Sequence, residues 1–256
     1  MADAKRVVLV TGGTKGVGRG IAETFLSNGD TVVVCGRHAP EAAPEAAGRR
    51  AEFLACDVRE VAQLDELLAT IQQRHGHLDV LVNNAGGAPF ALAADASPRF
   101  HEKIIALNLL APLHLSQKAN AIMQKQPSGG AIVFIASVSA IRPSPGTAAY
   151  GAAKAGLVNL AASLAVEWAP KVRINALTLG LVKTESAALH YGDEAGIAAV
   201  AATIPLGRMA LPADAGAACL WLASAGASYM SGSNLVIHGG GERPAFLSAA
   251  NAAHSE

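Results

Sequence analysis

Tyr150 and Lys154 stand four residues apart in the stretch Tyr150-Gly151-Ala152-Ala153-Lys154. On a helix that spacing sets both side chains on one face, one turn apart. A phenol ionises near pH 10 and is a poor acid–base group at neutrality, but a neighbouring ammonium favours the phenolate and lowers that value. Bringing it close to neutral takes roughly 4 kcal/mol of differential stabilisation. Such a pair also arises by chance, so it carries weight only in company. Ser137 lies thirteen positions before Tyr150, just past a strand expected to end at Ala136. A neutral hydroxyl there can hold a carbonyl oxygen as charge develops on it. Ser139, two residues on, competes for that role, and spacing does not separate the two. Neither reads as a nucleophile, because no histidine lies in a local motif that would activate it.

A second constellation is Thr11-Gly12-Gly13-Thr14-Lys15-Gly16-Val17-Gly18, which follows an apolar run and precedes a helical one. A strand, glycine turn and helix gather unpaired backbone N–H groups and the positive helix end at one spot, which suits a pyrophosphate. The spacing G-x3-G-x-G differs from the G-x-G-x-x-G of the dinucleotide fingerprint. The second strand ends Val34-Cys35-Gly36-Arg37-His38, where NAD enzymes carry an acid and NADP enzymes an arginine. With Arg37 there, Lys15 in the turn and no carboxylate, the expectation is NADP(H), with NAD(H) possible. The plain alternative is that both cations are solvated surface groups.

The elements that must position these residues alternate from end to end. Arg6–Thr11, Thr31–Cys35, Glu52–Cys56, Asp79–Asn83, Ala131–Ala136, Arg173–Thr178 and Asn234–His238 read as strands, apolar throughout as in a sheet covered on both faces. Gly18–Asn28, Val61–His75, Pro98–Gln124 and Ala148–Trp168 have helical spacing. Alternation means βαβ units stacked into a doubly wound, Rossmann-type α/β fold: a single domain over residues 1–241, with a predominantly parallel sheet of about seven strands flanked by helices. Pro40 and Pro44 oppose a long helix over His38–Arg50, which is expected to be a loop or short helix. Residues 242–256 read as a tail, either a frayed end or an arm to a neighbouring subunit.

Composition removes other classes. Hydrophobic residues make up 51% of the 256, against a charged share of 16% where about 25% is usual, so the chain is not intrinsically disordered. Twenty basic residues balance twenty acidic ones, which argues against nucleic acid or a polybasic membrane patch as partner. The most apolar helical run, Ala155–Ala169, carries Glu167 and reads as amphipathic rather than membrane-spanning, and the run Val7–Val10 is too short for a signal-peptide core. Three scattered cysteines suggest a reducing cytoplasm, and no His/Cys/Asp cluster has metal-ligand spacing.

Taken together, the motifs resemble those of the short-chain dehydrogenase/reductase family over nearly the whole chain. They come in the family's order: Thr11-Gly12-x3-Gly16-x-Gly18, Cys56-Asp57-Val58, Asn83-Asn84-Ala85-Gly86, Asn108, Ser137, Tyr150-x3-Lys154 and Ile204-Pro205-Leu206-Gly207-Arg208. The resemblance implies an oxidoreductase that interconverts a carbonyl and an alcohol, with Tyr150 as general acid or base. Lys154 would lower its pKa and bind the nicotinamide ribose, Ser137 would hold the carbonyl oxygen, and Asn108 would support a water leading from Lys154. Gly12, Thr14, Lys15, Gly16, Val17 and Gly18 would cradle the cofactor and Arg37 its 2′-phosphate. Asp57 and Val58 would contact the adenine, Asn84, Ala85 and Gly86 would line the cleft, and Val182 and Thr184 would meet the carboxamide.

Plainer readings stand beside these: Asp57 simply ending a strand, Asn108 a buried structural amide, and Asn83 bracing adjacent strands. Pro89, Phe90, the Ile141–Thr147 loop and a lid over residues 185–203 would form the substrate pocket, mostly apolar, with Arg142 its one cation. Uncharged ketones, among them 3-oxoacyl thioesters, or cyclic alcohols fit it better than sugar phosphates. Leu179-Gly180 stands where the family has Pro-Gly, which would free the backbone at the entrance of the lid. A homotetramer or dimer is the family expectation. The alternatives are an NAD-linked alcohol dehydrogenase of the same fold and a non-catalytic cofactor-binding regulatory protein.

Overall fold

The apolar run Val7–Thr11 folds as strand β1, and its alternation sets the layers of the computed structural model, which describes residues 5–249. Val7 and Leu9 point to one face, into a cluster with Leu64, Ile71, Leu115 and Leu157. Val8 and Val10 point to the other, onto Ile21, Phe25, Ala215 and Cys219. Helices cover both faces, so the strand is apolar at every position.

After β1 come α1 (Gly16–Ser27), β2 (Thr31–Gly36), the short β3 (Glu45–Ala46) and β4 (Arg49–Arg50), β5 (Glu52–Ala55), α2 (Val61–His75) and β6 (Val80–Asn83). The second half holds α3 (Pro98–Ile105), α4 (Ala111–Met123), β7 (Gly130–Ser137), α5 (Ala148–Trp168) and β8 (Val172–Leu179). It closes with α6 (Ala188–Tyr191), α7 (Glu194–Thr203), α8 (Pro212–Leu222), β9 (Asn234–Ile237) and α9 (Ala245–Ala249). The seven-stranded sheet runs β5-β2-β1-β6-β7-β8-β9, with every pairing parallel. This is the doubly wound Rossmann arrangement of a single domain. The order reverses between β1 and β6, so the loops leaving those strands part and open a crevice at their C-terminal ends.

Four local expectations change. The segment His38–Arg50 contains no helix: β3 and β4 pair antiparallel across Ala47 and Gly48, both at positive φ (50° and 69°), and Arg50 pairs with Glu45 at 2.8 Å. The helical stretch Pro98–Gln124 is broken by a π-helical turn, Ala106–Leu110, in which the Ala111 N–H donates to the Ala106 carbonyl. Pro112 brings no N–H, and in an α-helix its ring would press on the carbonyl of Asn108, so a widened turn suits it. Asn83 does not brace neighbouring strands; its Nδ2 donates to Ser116 Oγ of α4 at 2.9 Å. Leu179 does not loosen the entrance of the lid, since it is buried and stays in register with Ser137 and Ile237, continuing β8.

α5 has the length and mean hydropathy (1.2) of a membrane span, yet it lies on β7 and β8 and buries Lys154, Leu157, Ala161 and Leu164. Its outer face is mixed, with Val166 82% exposed beside the exposed polar residues Asn159, Ser163 and Glu167. In the expected tail, residues 245–249 form α9, and residues 250–256 lie outside the described ones.

Candidate active site

Where β1 ends, the chain turns through the glycines into α1. Gly16, the first residue of the helix, sits at φ +54°, a region an L side chain rarely adopts. Gly18 answers a different need: a Cβ there would lie 2.3 Å from the Gly12 carbonyl oxygen and 2.4 Å from Asn84 Nδ2. The turn is sewn to the far side of the crevice. Asn84 Nδ2 donates to the Thr11 and Gly12 carbonyls at 2.9 and 3.2 Å, and Thr11 Oγ1 accepts from the N–H groups of Asn84 and Ala85. Lys15, the N-cap of α1, gives the helix no side-chain cap, so the first N–H groups of α1 face the crevice, where an anion would lie.

This crevice continues into one cleft of about 1160 Å³. Gly12, Thr14, Lys15, Gly16, Val17, Gly18, Arg37, Asp57, Val58, Asn84, Ala85, Gly86, Ser137, Tyr150, Lys154, Val182 and Thr184 all line it. Asn108 does not; it is buried behind Gly86 and Gly87. Residues from seven separate stretches of chain thus meet in a trough with a built phosphate cradle at one end, which fits a nicotinamide dinucleotide.

β7 ends on Ser137, and the Ser137 hydroxyl is the side chain that favours ionisation of Tyr150. Both serines line the cleft; Ser139 Oγ accepts from Ser144 Oγ at 3.0 Å, which in turn meets Thr147 Oγ1 at 2.6 Å, so the Ser139 hydroxyl is already engaged. Lys154 Nζ lies 5.6 Å from the centre of the Tyr150 ring and donates to the Ile135 carbonyl at 2.7 Å. Asn108 bonds only to backbone, to the carbonyl and N–H of Gly87 and the carbonyl of Ile104, each at 2.9 Å, which are the bonds of a structural amide.

The ionisation of the pair departs from the expectation. Burial pushes Tyr150 above the ordinary phenol value, and the Ser137 hydroxyl offsets that only in part. Lys154 stands beside the ring and spends a hydrogen bond on a carbonyl rather than on the phenol oxygen, so its charge does not prevail. Burial brings Lys154 itself down to about 8. An unfolded lysine keeps its proton to about 10.4. Between those two values the unfolded chain binds more protons, so stability rises with pH across that window and the burden of the buried charge is fully present below it. In urea denaturation, wild type should therefore gain on Lys154→Met by roughly 3 kcal/mol as pH climbs from below 8 towards 10.4. Parallel pH curves for the two proteins would contradict this.

At the other end of the cleft the charges are positive. Arg37, just after β2, and Lys15 are exposed, and among the described residues neither side chain makes a hydrogen bond or ion pair. Asp57 is neutralised locally: Arg59 Nε and Nη2 donate to its two carboxylate oxygens at 2.9 and 2.5 Å and hold its carboxyl below the usual range, with help from Arg37. Val182 is bridged to Ala210 at the base of the lid, whose small core is Ala187, Ile197, Ile204 and Met209. Of the expected substrate pocket, Phe90, Arg142, Thr147, Glu185, Ser186, His190 and Tyr191 line the cleft, whereas α7 does not.

Sequence reasoning missed Arg59 and Glu242 as parts of this site, had Thr11 only as the start of the glycine turn, and had Glu185 only as a lid residue. Glu185 Oε1 accepts from the Gly16 N–H at 2.9 Å, and Glu242 pairs with Arg142 at 2.8 Å. Neither contact has a local signal outside the folded chain.

Residues 12–242 match the protein family described as enoyl-(acyl carrier protein) reductase. An uncharacterised short-chain type dehydrogenase/reductase of Sinorhizobium fredii is 35% identical over 242 residues, 92% of this chain; the chain spans 43% of that relative's length. A 3α-hydroxysteroid dehydrogenase of Mediterraneibacter gnavus is 33% identical over 91% of this chain and 96% of its own. Among solved structures, ligand-free aldohexose dehydrogenase of Thermoplasma acidophilum superposes with a TM-score of 0.87 at 30% identity, covering 98% of both chains.

Proposed function

The chain belongs to the short-chain dehydrogenase/reductase family, an oxidoreductase acting on CH–OH or C=O groups with NAD(P), and from that membership we propose an NADP(H)-dependent enzyme that reduces an uncharged ketone. The observation that carries this reading is the set Ser137, Tyr150 and Lys154, with Lys154 Nζ 5.6 Å from the phenol ring centre, in the same cleft as the glycine turn. The bound nicotinamide supplies the hydride. Every other requirement falls to the chain. Ser137 holds the substrate oxygen beside the Tyr150 hydroxyl, which gives up its proton as charge builds on that oxygen. Because burial holds the phenol above its ordinary value, it is protonated at neutral pH, which suits an acid and hence reduction. Lys154 holds the nicotinamide ribose and stabilises the phenolate left behind. Asn108 positions the Gly86–Gly87 backbone that forms the floor. Lys15 and Arg37, free of protein partners, supply the charge-assisted bonds a 2′-phosphate needs.

The substrate side supports a neutral compound. Arg142, the cation expected there, is already paired with Glu242, and Phe90 and Tyr191 make up much of the remaining wall. Relatives named for a 3α-hydroxysteroid and an aldohexose support an alcohol or carbonyl substrate without choosing among such compounds. Glu242→Gln uncovers the arginine, so kcat/KM for a keto acid should rise about three- to fivefold relative to a neutral ketone of the same size, most clearly at low salt. A ratio that does not move would show that Arg142 is not felt by the substrate. Apolar surface such as Val166 of α5 supports a homo-oligomer that covers it.

The direct test is NADPH oxidation followed at 340 nm across a panel of ketones, with alcohols and NADP+ for the reverse direction. Turnover of neutral ketones is the expected result. Failure with every carbonyl and every alcohol would remove the proposal.

A further inference from the structure

The one acceptor on the Gly16 N–H comes from far along the chain, from Glu185, 169 residues away. Two other helices carry a local cap, Ser97 on α3 and Asp193 on α7, each through the N–H three positions on, whereas α2, α4 and α5 have no side-chain cap either. α1 has neither a side-chain cap nor an acid in its first turn. An anion at this place is favoured by the helix dipole and by a charge-assisted hydrogen bond. It is also where the pyrophosphate of a dinucleotide would sit. Apart from Thr184 and Glu185, no atom lies close to the space a Cβ on Gly16 would take, so this strap alone closes the face of the turn.

Glu185 is otherwise uncommitted. Among the described residues it makes no ion pair, even though Lys183 lies two positions away; that lysine pairs with Glu194 instead. The backbone behind it is anchored, with Ala187 buried in the lid core and its N–H bonded to the Thr184 carbonyl at 3.0 Å. A change of side-chain rotamer is therefore enough to vacate the turn without moving the lid.

We propose that Glu185 is an intramolecular competitor of the coenzyme: its carboxylate occupies the Gly16 N–H in place of the pyrophosphate, lowers dinucleotide affinity and slows binding. The inference rests on the reading of this cleft as a dinucleotide site. Two anions cannot share one N–H donor, so whatever fraction of molecules holds Glu185 on the turn is subtracted from those ready to bind. When the dinucleotide leaves, the carboxylate returns to the vacated donor and opposes rebinding.

Titration of Glu185→Gln and Glu185→Ala with NADPH and with NADH, by calorimetry or nicotinamide fluorescence, tests it without reference to turnover. The Kd of the preferred dinucleotide should fall three- to tenfold in both variants, with most of the change in kon by stopped flow. The affinity for 2′-AMP, which lacks the pyrophosphate, should stay within twofold of wild type. Unchanged or weaker dinucleotide binding would overturn the proposal, as would equal tightening of NADPH and 2′-AMP, which would mark a general charge effect. Binding of neither dinucleotide to wild type or variants would overturn the reading of the cleft and this inference together, whereas binding with an unaltered Kd overturns the inference alone.

Discussion

Tyr150→Phe should lower kcat by about 10³-fold or more while leaving the Kd for NADPH within about twofold of wild type. The substitution removes one oxygen and keeps the ring that packs beside Lys154. General acid catalysis by a positioned side chain contributes roughly 10²- to 10⁴-fold, and Tyr150 is the acid that lines the cleft together with Ser137 and Lys154. Binding of the dinucleotide depends on the glycine turn, Arg37 and Lys154, all of which remain. Wild type should show a matching asymmetry with pH. Oxidation needs the phenolate, so its rate rises with pH, whereas reduction keeps its acid through the neutral range because burial holds the phenol proton on. Steady-state kinetics in both directions with a parallel dinucleotide titration checks this. A variant that retains a tenth or more of the wild-type kcat would assign the proton to another group.

Arg37→Asp should raise the Kd for NADPH by roughly 10²-fold and spare NADH. A hydrogen bond to a charged group contributes about 1.5–3 kcal/mol, and the substitution removes one and adds repulsion. The new carboxylate instead suits a ribose 2′-OH. Arg37 can deliver this effect because among the described residues its side chain makes no hydrogen bond or ion pair, while the nearby acid, Asp57, is held mainly by Arg59. Removing Lys15 should act in the same direction but more weakly, since a lysine in a loop offers one flexible point charge. The ratio of the two dissociation constants is the measurement; a ratio that stays put would make Arg37 an ordinary solvated surface group.

Much of this site was legible before folding was considered. The strand boundaries came out within one or two residues, because a strand covered on both faces is written as an unbroken apolar run between turn residues. Val61–His75 and Ala148–Trp168 match α2 and α5 end to end. The spacing of Tyr150 and Lys154 became a real contact, since one helical turn is a local distance. Where a local signal was ambiguous, the outcome was not legible. Ala47 and Gly48 turn a proline-bounded stretch into a hairpin, and Pro112 widens a helix that periodicity reads as continuous.

What the chain's order of residues determined, then, was the architecture and which residues are candidates for the chemistry, because periodicity and short spacings are encoded by neighbours. The tertiary structure alone decided which direction burial drives the ionisation of Tyr150, and that Glu185 and Glu242 close on partners in the cleft. Desolvation and contacts between residues a hundred or more positions apart depend on how whole layers pack, and no local pattern records them.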